Sequence, residues 1–133
     1  MTPQPTRLNS DCVIPQDEEL TRVLAEAVFA GKDMTWDMSR RYVLVSNNDS
    51  MGTFHYFSPL CNGNDILMLI EAMAERHKVF IGVERVNNEH GGPKYYIRAD
   101  IESLAYSNCP TEVGDDPKRA VCNAAYKALQ VKP

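Results

Sequence analysis

The chain has 133 residues, and 14 basic against 18 acidic side chains give it a formal net charge of −4 at pH 7. This length fits one domain that buries about two-thirds of the surface of its unfolded chain. A negative net charge gives no general attraction to duplex DNA or anionic lipid, so we expect neither as a partner. The longest apolar run is far too short to cross a bilayer. The four cysteines lie singly, which predicts reduced thiols in a cytosolic protein.

Residues 1–14 are rich in Pro, Thr, Gln and Asn and predict a flexible arm, followed by a single domain over residues 15–133. Helix one is predicted to begin near Asp17, where acidic residues suit the positive end of the helix dipole, and to stop at Gly31. Its apolar stripe has helical spacing and consists of Leu20, Val23, Leu24, Ala27 and Val28.

Two short strands are predicted next, at residues 42–45 and 53–57, joined by a polar turn. Helix two is then predicted to run to about His77 from Asn64 or Asp65, either of which can cap it. Its core stripe consists of Ile66, Leu69, Ile70, Met73 and Ala74. Met68 lies nearly opposite this stripe, which makes it the candidate for a contact between subunits.

A hairpin is predicted from strands at residues 79–83 and 95–100. Alternation along the second strand places Tyr96, Arg98 and Asp100 on the side opposite Ile97 and Ala99.

The last helix has the clearest boundaries, because Asp116 can cap it and Pro117 suits its first position. Its stripe of small residues consists of Val121, Ala124, Ala125, Ala128 and Leu129, and Arg119, Asn123 and Lys127 are expected on a solvent face. The order α-β-β-α-β-β-α predicts an α+β fold, with a mostly antiparallel four-stranded sheet packed with three helices. We expect the first and last helices to clasp this one sheet.

No catalytic motif stands out in the chain. His55, His77 and His90 are the only candidates for a general base, and none has a partner at metal-ligand spacing. The glycine pair after His90 resembles an esterase loop, but the required nucleophile elbow is absent. The glycine before helix two suits either a self-capped helix, which we favour, or a phosphate site. We therefore expect a protein that is not an enzyme and that uses neither cofactor nor metal.

Two groups of aromatic and basic residues are the candidate ligand-binding positions. Such side chains hold nucleobases by stacking and phosphates by charge-assisted hydrogen bonds. The group on and beside the second hairpin strand consists of His90, Lys94, Tyr96 and Arg98. The group that follows helix one consists of Trp36, Arg40 and Arg41. Alternatively, Glu84 and Asp100 simply pair with Arg98, and Trp36 covers the core beside helix one.

Three segments together resemble the phage ABA-sandwich domain family, which includes NinX-like small phage proteins. They are the segment from Leu20 to Trp36, the passage His55-Tyr56-Phe57-Ser58-Pro59 leading to Asn64-Asp65-Ile66 and Met73, and the helix start Asp116-Pro117-Lys118-Arg119-Ala120. The chain departs from the family in its Cys61-Asn62-Gly63 stretch and in having no second tryptophan in the hairpin. The resemblance implies a sheet sandwiched between helices and expression in the host cytoplasm of an infected cell. It brings no catalytic residues.

The resemblance, together with the aromatic and arginine side chains, favours a host-defence antagonist that sequesters a small nucleotide immune signal, most simply as a homo-oligomer. An inhibitor that binds and blocks a bacterial defence protein directly is the alternative. A small nucleotide-cleaving enzyme and a structural protein of the virion are the further hypotheses.

Overall fold

The computed structural model describes residues 13–37, 42–47, 49–88 and 92–131. The predicted N-terminal arm thus lies almost entirely outside the described residues. The elements, in chain order, are α1 (Asp17–Val28), β1 (Met34–Asp37), β2 (Tyr42–Ser46), β3 (Phe54–Phe57), α2 (Gly63–His77), β4 (Val79–Asn88), β5 (Gly92–Ile101), β6 (Thr111–Gly114) and α3 (Pro117–Gln130). The fold is α+β, as predicted.

The strands form two antiparallel sheets instead of the single four-stranded sheet that the sequence predicts. Sheet A has the order β1-β2-β3 and sheet B the order β4-β5-β6, so every strand pairs with its neighbour in the chain. The four predicted strands are β2 to β5, and each sheet adds one further strand of four residues. Neither added strand contains an apolar run, so pairing with β2 or β5 stabilises it more than its own sequence does.

The three helices pack against one another and against the inner faces of both sheets, around one hydrophobic core. The predicted stripes of α1 and α2 supply much of this core. Its fully buried large side chains include Leu20, Leu24, Val43, Val45, Phe57, Leu69, Met73 and Ile97. Within the described ranges, no helix combines the length and the apolar character that crossing a membrane requires.

Helix α3 begins as the sequence predicts. The carboxylate of Asp116 accepts hydrogen bonds from the backbone N–H groups of Lys118 and Arg119 at 3.1 and 3.5 Å, and Pro117 occupies the first turn. Its buried face is made largely of alanines, namely Ala120, Ala124, Ala125 and Ala128. The expectation that α1 and α3 clasp one sheet is wrong, because α1 contacts β2 of sheet A whereas α3 contacts all three strands of sheet B.

The start of α2 lies slightly earlier than predicted. Asn62 is the cap, and its side chain accepts a hydrogen bond from the backbone N–H of Asn64 at 2.9 Å. The predicted caps, Asn64 and Asp65, therefore lie inside the helix. The predicted end at His77 is confirmed, with Lys78 in the left-handed conformation at φ 56°.

Two of the three side chains expected on the solvent face of α3 point toward sheet B instead. Lys127 is only 6% exposed, and its Nζ donates to the carboxylate of Glu112 on β6 and to the carbonyl of Thr111 at 3.4 Å. Asn123 is half-buried and donates to the same carboxylate at 3.3 Å. Arg119 is exposed and forms two 3.0 Å hydrogen bonds with Asp17. The small alanines bring the helix so close to the sheet that a lysine beside them becomes buried, and β6 supplies its counter-charge.

We predict that Lys127→Met destabilises the fold by roughly 3 kcal/mol, because removing one member of a buried ion pair leaves the other charge without compensation. Chemical denaturation of the variant and the wild type measures this difference. The double variant Lys127→Met with Glu112→Gln removes both charges and should regain most of the loss. A double variant no more stable than the single one would contradict this account.

The cysteines differ in burial and therefore in expected reactivity. Cys61 is exposed, whereas Cys109 and Cys122 are buried. Burial raises the pKa of the Cys122 thiol to about 12, so the reactive thiolate is scarce at neutral pH.

We predict that iodoacetamide modifies Cys61 in the native protein at pH 8 and spares Cys122 until the chain is denatured. Peptide mass spectrometry at several times checks this, and comparable rates at both thiols would contradict it.

Candidate ligand site on the open face of sheet B

The alternation predicted for the second hairpin strand is confirmed in β5. Ile97 and Ala99 are fully buried beneath the helices, so Tyr96 and Arg98 project from the opposite, open face of sheet B. On the neighbouring strand, Gly82 lies directly opposite Arg98. The open face therefore presents an arginine next to a position without a side chain.

The Arg98 side chain is held between two tyrosines. Its guanidinium carbon lies 3.6 Å from the ring centre of Tyr106 and 5.6 Å from that of Tyr96. Its Nη2 also donates a hydrogen bond to the Tyr96 hydroxyl at 3.2 Å. Stacking against aromatic rings fixes the plane of a guanidinium, which prepares it to bind a ligand at low entropic cost. Tyr96, Arg98 and Tyr106 together are called the Arg98 cluster below.

Tyr106 reaches this position from the segment between β5 and β6. It begins a single turn of 3-10 helix, Tyr106–Asn108, and its side chain is 69% exposed. The turn is anchored by the buried Cys109, whose thiol lies 3.5 Å from the carbonyl oxygen of Ala105 and accepts from the N–H of Ile101 at 3.4 Å. No periodic pattern predicts an element in this segment, so sequence reasoning does not identify Tyr106 as a site residue. The only available signal was an aromatic residue in an otherwise polar stretch.

A shallow depression of about 220 Å³ lies beside the cluster. Carboxylates line it as well as the arginine: Glu84 and Asp100 belong to its wall, and Asp100 Oδ1 is 3.9 Å from Arg98 Nε. Within the described residues, Arg98 Nη1 and Asp100 Oδ1 are buried and have no hydrogen-bond partner. Such groups are costly to leave unsatisfied, so a ligand that reaches them through a small movement of the surrounding side chains can pair with one donor and one acceptor.

The structure brings together only some of the predicted ligand-binding residues. Tyr96 and Arg98 share the depression, and Lys94 lies on the same face two residues along β5. Arg40, Arg41 and His90 lie outside the described residues.

Trp36 lies on β1 of sheet A, where it is half-buried and packs against the core. It lines a second depression, of about 330 Å³, between α1 and sheet A. Three carboxylates and two basic side chains surround that depression, namely Glu19, Glu26, Asp33, Arg22 and Lys32. This excess of negative charge disfavours an anionic ligand there.

Met68, the predicted subunit contact, is half-buried and packs against the core, whereas its neighbour Leu67 is 60% exposed. Met68 is long and unbranched and reaches the core from the side of the helix. Its role between subunits stays a prediction.

A histidine and a carboxylate meet at the start of α2. Asp65 is 1% exposed, and its two oxygens lie 2.9 Å from His55 Nε2 and 2.8 Å from the backbone N–H of Ser58, which donates to it. The His55 ring also packs against the ring of Phe29, with 5.5 Å between the two ring centres. This pair joins β3 to α2 and satisfies a buried carboxylate. No group of three metal-ligating side chains occurs in the part of the chain that the structure describes.

Comparisons with protein families, with curated proteins and with solved structures found no match to this chain.

We predict that Asp65→Ala lowers the free energy of unfolding by about 1–3 kcal/mol, because the half-buried N–H of Ser58 then loses its acceptor. Asp65→Asn retains an acceptor oxygen and should cost less. Urea titrations of both variants measure the two differences. Equal losses would show that the hydrogen bond to Ser58 is not what Asp65 contributes.

Proposed function

We propose that this protein is a non-enzymatic, phage-type binding protein that holds a small nucleotide at the Arg98 cluster. In the infected cell it would sequester a nucleotide signal made by a bacterial defence system, and it would act in the host cytoplasm as a homo-oligomer. The phage and host parts of this proposal depend on the family resemblance. The ligand part depends on the open face of sheet B.

The observation that carries the ligand part is the guanidinium of Arg98, stacked 3.6 Å from an exposed tyrosine while one of its amino groups lacks a partner within the described chain. Tyr106 is 69% exposed, so a nucleobase can stack on the ring face that Arg98 does not cover. A small shift of the tyrosine gives a phosphate or base acceptor access to Arg98. Asp100 supplies an acceptor for the amino or imino group of a base.

The mixed charge of the depression narrows the class of ligand. With Glu84 and Asp100 beside one arginine, a highly charged ligand such as a triphosphate is repelled. A ligand with few phosphates and at least one base matches the donor, the acceptor and the aromatic ring together. Cyclic nucleotides and ADP-ribose derivatives belong to this class.

Direct binding to a defence protein is the second candidate, because apolar side chains surround the same site. Phe80, Val86 and Val113 are 50%, 45% and 63% exposed on the open face of sheet B. Exposed apolar side chains that are grouped on one face are typical of protein interaction surfaces. Co-purification of a bacterial partner, without affinity for nucleotides, is the outcome that this second function predicts.

The third hypothesis, a nucleotide-cleaving enzyme, has less support. The pair His55 and Asp65 lines none of the depressions described above. Chromatography of a nucleotide after incubation with the protein separates the two cases, since sequestration returns it intact from heat-denatured protein and cleavage does not.

Isothermal titration calorimetry against cyclic mononucleotides, cyclic dinucleotides and ADP-ribose derivatives tests the proposed function. We expect at least one to bind, and we expect Arg98→Ala to weaken that binding at least tenfold, or about 1.4 kcal/mol. Tyr106→Ala should weaken it by a similar factor through loss of stacking. Arg76→Ala, at an exposed arginine in the last turn of α2, is the matched control and should have no effect. No heat with any of these nucleotides would overturn the proposed function.

A further inference from the structure

Among the described strands, the longest one with an open edge is β4, and its first half lacks the features that usually protect such an edge. In the described part of the chain, its ten residues pair only with β5. The other sheet edges, β1, β3 and β6, have four residues each. Natural edges are blunted by shortness, by charged side chains and above all lysine, by proline or by a bulge. The segment 79–83 of β4 has none of the protecting side chains, and Glu84 and Arg85 follow it. β4 has no lysine or proline, and its side chains at Phe80, Val83 and Val86 are 45–50% exposed.

The backbone of β4 fixes which residues face the open edge. The N–H of Glu102 donates to the carbonyl of Lys78, so even-numbered residues from Lys78 onward form the hydrogen-bonded pairs with β5. The N–H of Ala99 correspondingly points away from β4, toward Pro110. The N–H and C=O groups of Ile81 and Val83 therefore point outward, toward any strand that adds to this edge.

Gly82, at the centre of the exposed part, is unexplained by the chain itself. Its φ lies outside the left-handed region, and a Cβ at this position would meet no atom within 4 Å. Neither backbone conformation nor packing within the described chain thus requires glycine, although glycine weakens a strand. Glycine inside a strand otherwise marks a place where a ligand or another backbone approaches closely.

We propose that a second copy of this chain adds to β4 in antiparallel fashion, with the two-fold axis at Gly82, and so completes the Arg98 site. Sheet B of one subunit and sheet B of its partner then form one continuous sheet of six strands. On the helix side, Ile81 of each subunit then lies opposite Val83 of the partner subunit, apolar against apolar. An axis at Glu84 or Arg85 places like charges directly opposite each other, which is destabilising. An axis at Val83 leaves Ile81 opposite an arginine, whereas the axis at Gly82 keeps Ile81 and Val83 paired and brings that arginine opposite Val79, at the start of the strand.

This register gives the glycine a purpose. Across the open face, Arg98 lies beside Gly82 of its own subunit, which lies beside Gly82 of the partner subunit and then Arg98 of the partner subunit. The two arginines are therefore three strand spacings apart, or about 14 Å. The two Arg98 clusters thus face each other across a floor without side chains, and a ligand with two nucleotide units can contact both. This last point rests on the proposed function, whereas the dimer itself does not.

Sedimentation velocity on the full chain tests the interface. We expect a species of twice the 15.0 kDa of one chain. Val83→Pro removes an outward N–H without touching the bonds to β5, and it should give a monomer. Val113→Pro is the matched control, because Val113 points its N–H outward from β6 at the opposite edge of the same sheet. The Val113→Pro variant should remain dimeric. A wild-type monomer at all concentrations, or a Val83→Pro dimer, would overturn the proposal.

Disulfide cross-linking tests the register, in a background with Cys12→Ser and Cys61→Ser. The axis at Gly82 places the two Gly82 Cα atoms about 4.5 Å apart, within disulfide range, so Gly82→Cys should cross-link under mild oxidation. Val83→Cys should not, because its two copies lie about 8 Å apart. Cross-linking of Val83→Cys instead would refute the axis at Gly82.

The two proposals fail separately. A dimer that binds none of the cyclic nucleotides or ADP-ribose derivatives retains the interface and removes the proposed function. A monomer that binds one of them removes the interface and the proposed homo-oligomer, and retains nucleotide binding at the Arg98 cluster.

Discussion

The close approach of α3 to sheet B is the constraint on which the rest of this structure depends. Alanines line the helix where it meets the sheet, so the helix and the strands lie nearer than larger side chains would allow. Lys127 is buried by this approach and requires the carboxylate of Glu112. Glu112 belongs to β6, a strand with little propensity of its own. The helix therefore stabilises the strand, and the strand fixes the segment that carries Tyr106 to Arg98.

The open face of sheet B has a different physical character from the helix-covered one. Its charges are mixed, its apolar side chains are exposed, and one arginine is stacked between rings and incompletely hydrogen-bonded in the described chain. A surface that only had to remain soluble would gain from more charge and fewer aromatic residues. A surface that binds must instead keep groups whose hydrogen bonds and apolar contacts are completed by the partner. The Arg98 cluster fits the second description, whereas the excess of carboxylates in the depression beside Trp36 on sheet A disfavours an anionic ligand there.

The sequence predicts the helices well because their signals are local. The cap at Asp116, the proline after it and the spacing of apolar residues act within one or two turns, and α1 and α3 begin where predicted. The two short strands β1 and β6 were missed because their stability comes from pairing with residues elsewhere, which no local pattern reports. The same limit explains Lys127, which periodicity treats as a polar surface residue although the helix buries it. At the site, alternation in β5 predicted that Tyr96 and Arg98 share a face, but the contribution of Tyr106 depends on a loop without periodicity.

Each half of the chain is a helix followed by three strands that pair in chain order, and this has a consequence for how the molecule forms. Every sheet contact is made between segments close in sequence, so each sheet closes with a small loss of chain entropy. Folding that is dominated by such local contacts is fast. One long-range step is the docking of α3 beside α1, where Arg119 meets Asp17 across 102 residues. A nascent chain can thus complete its first sheet well before its last helix has been synthesised.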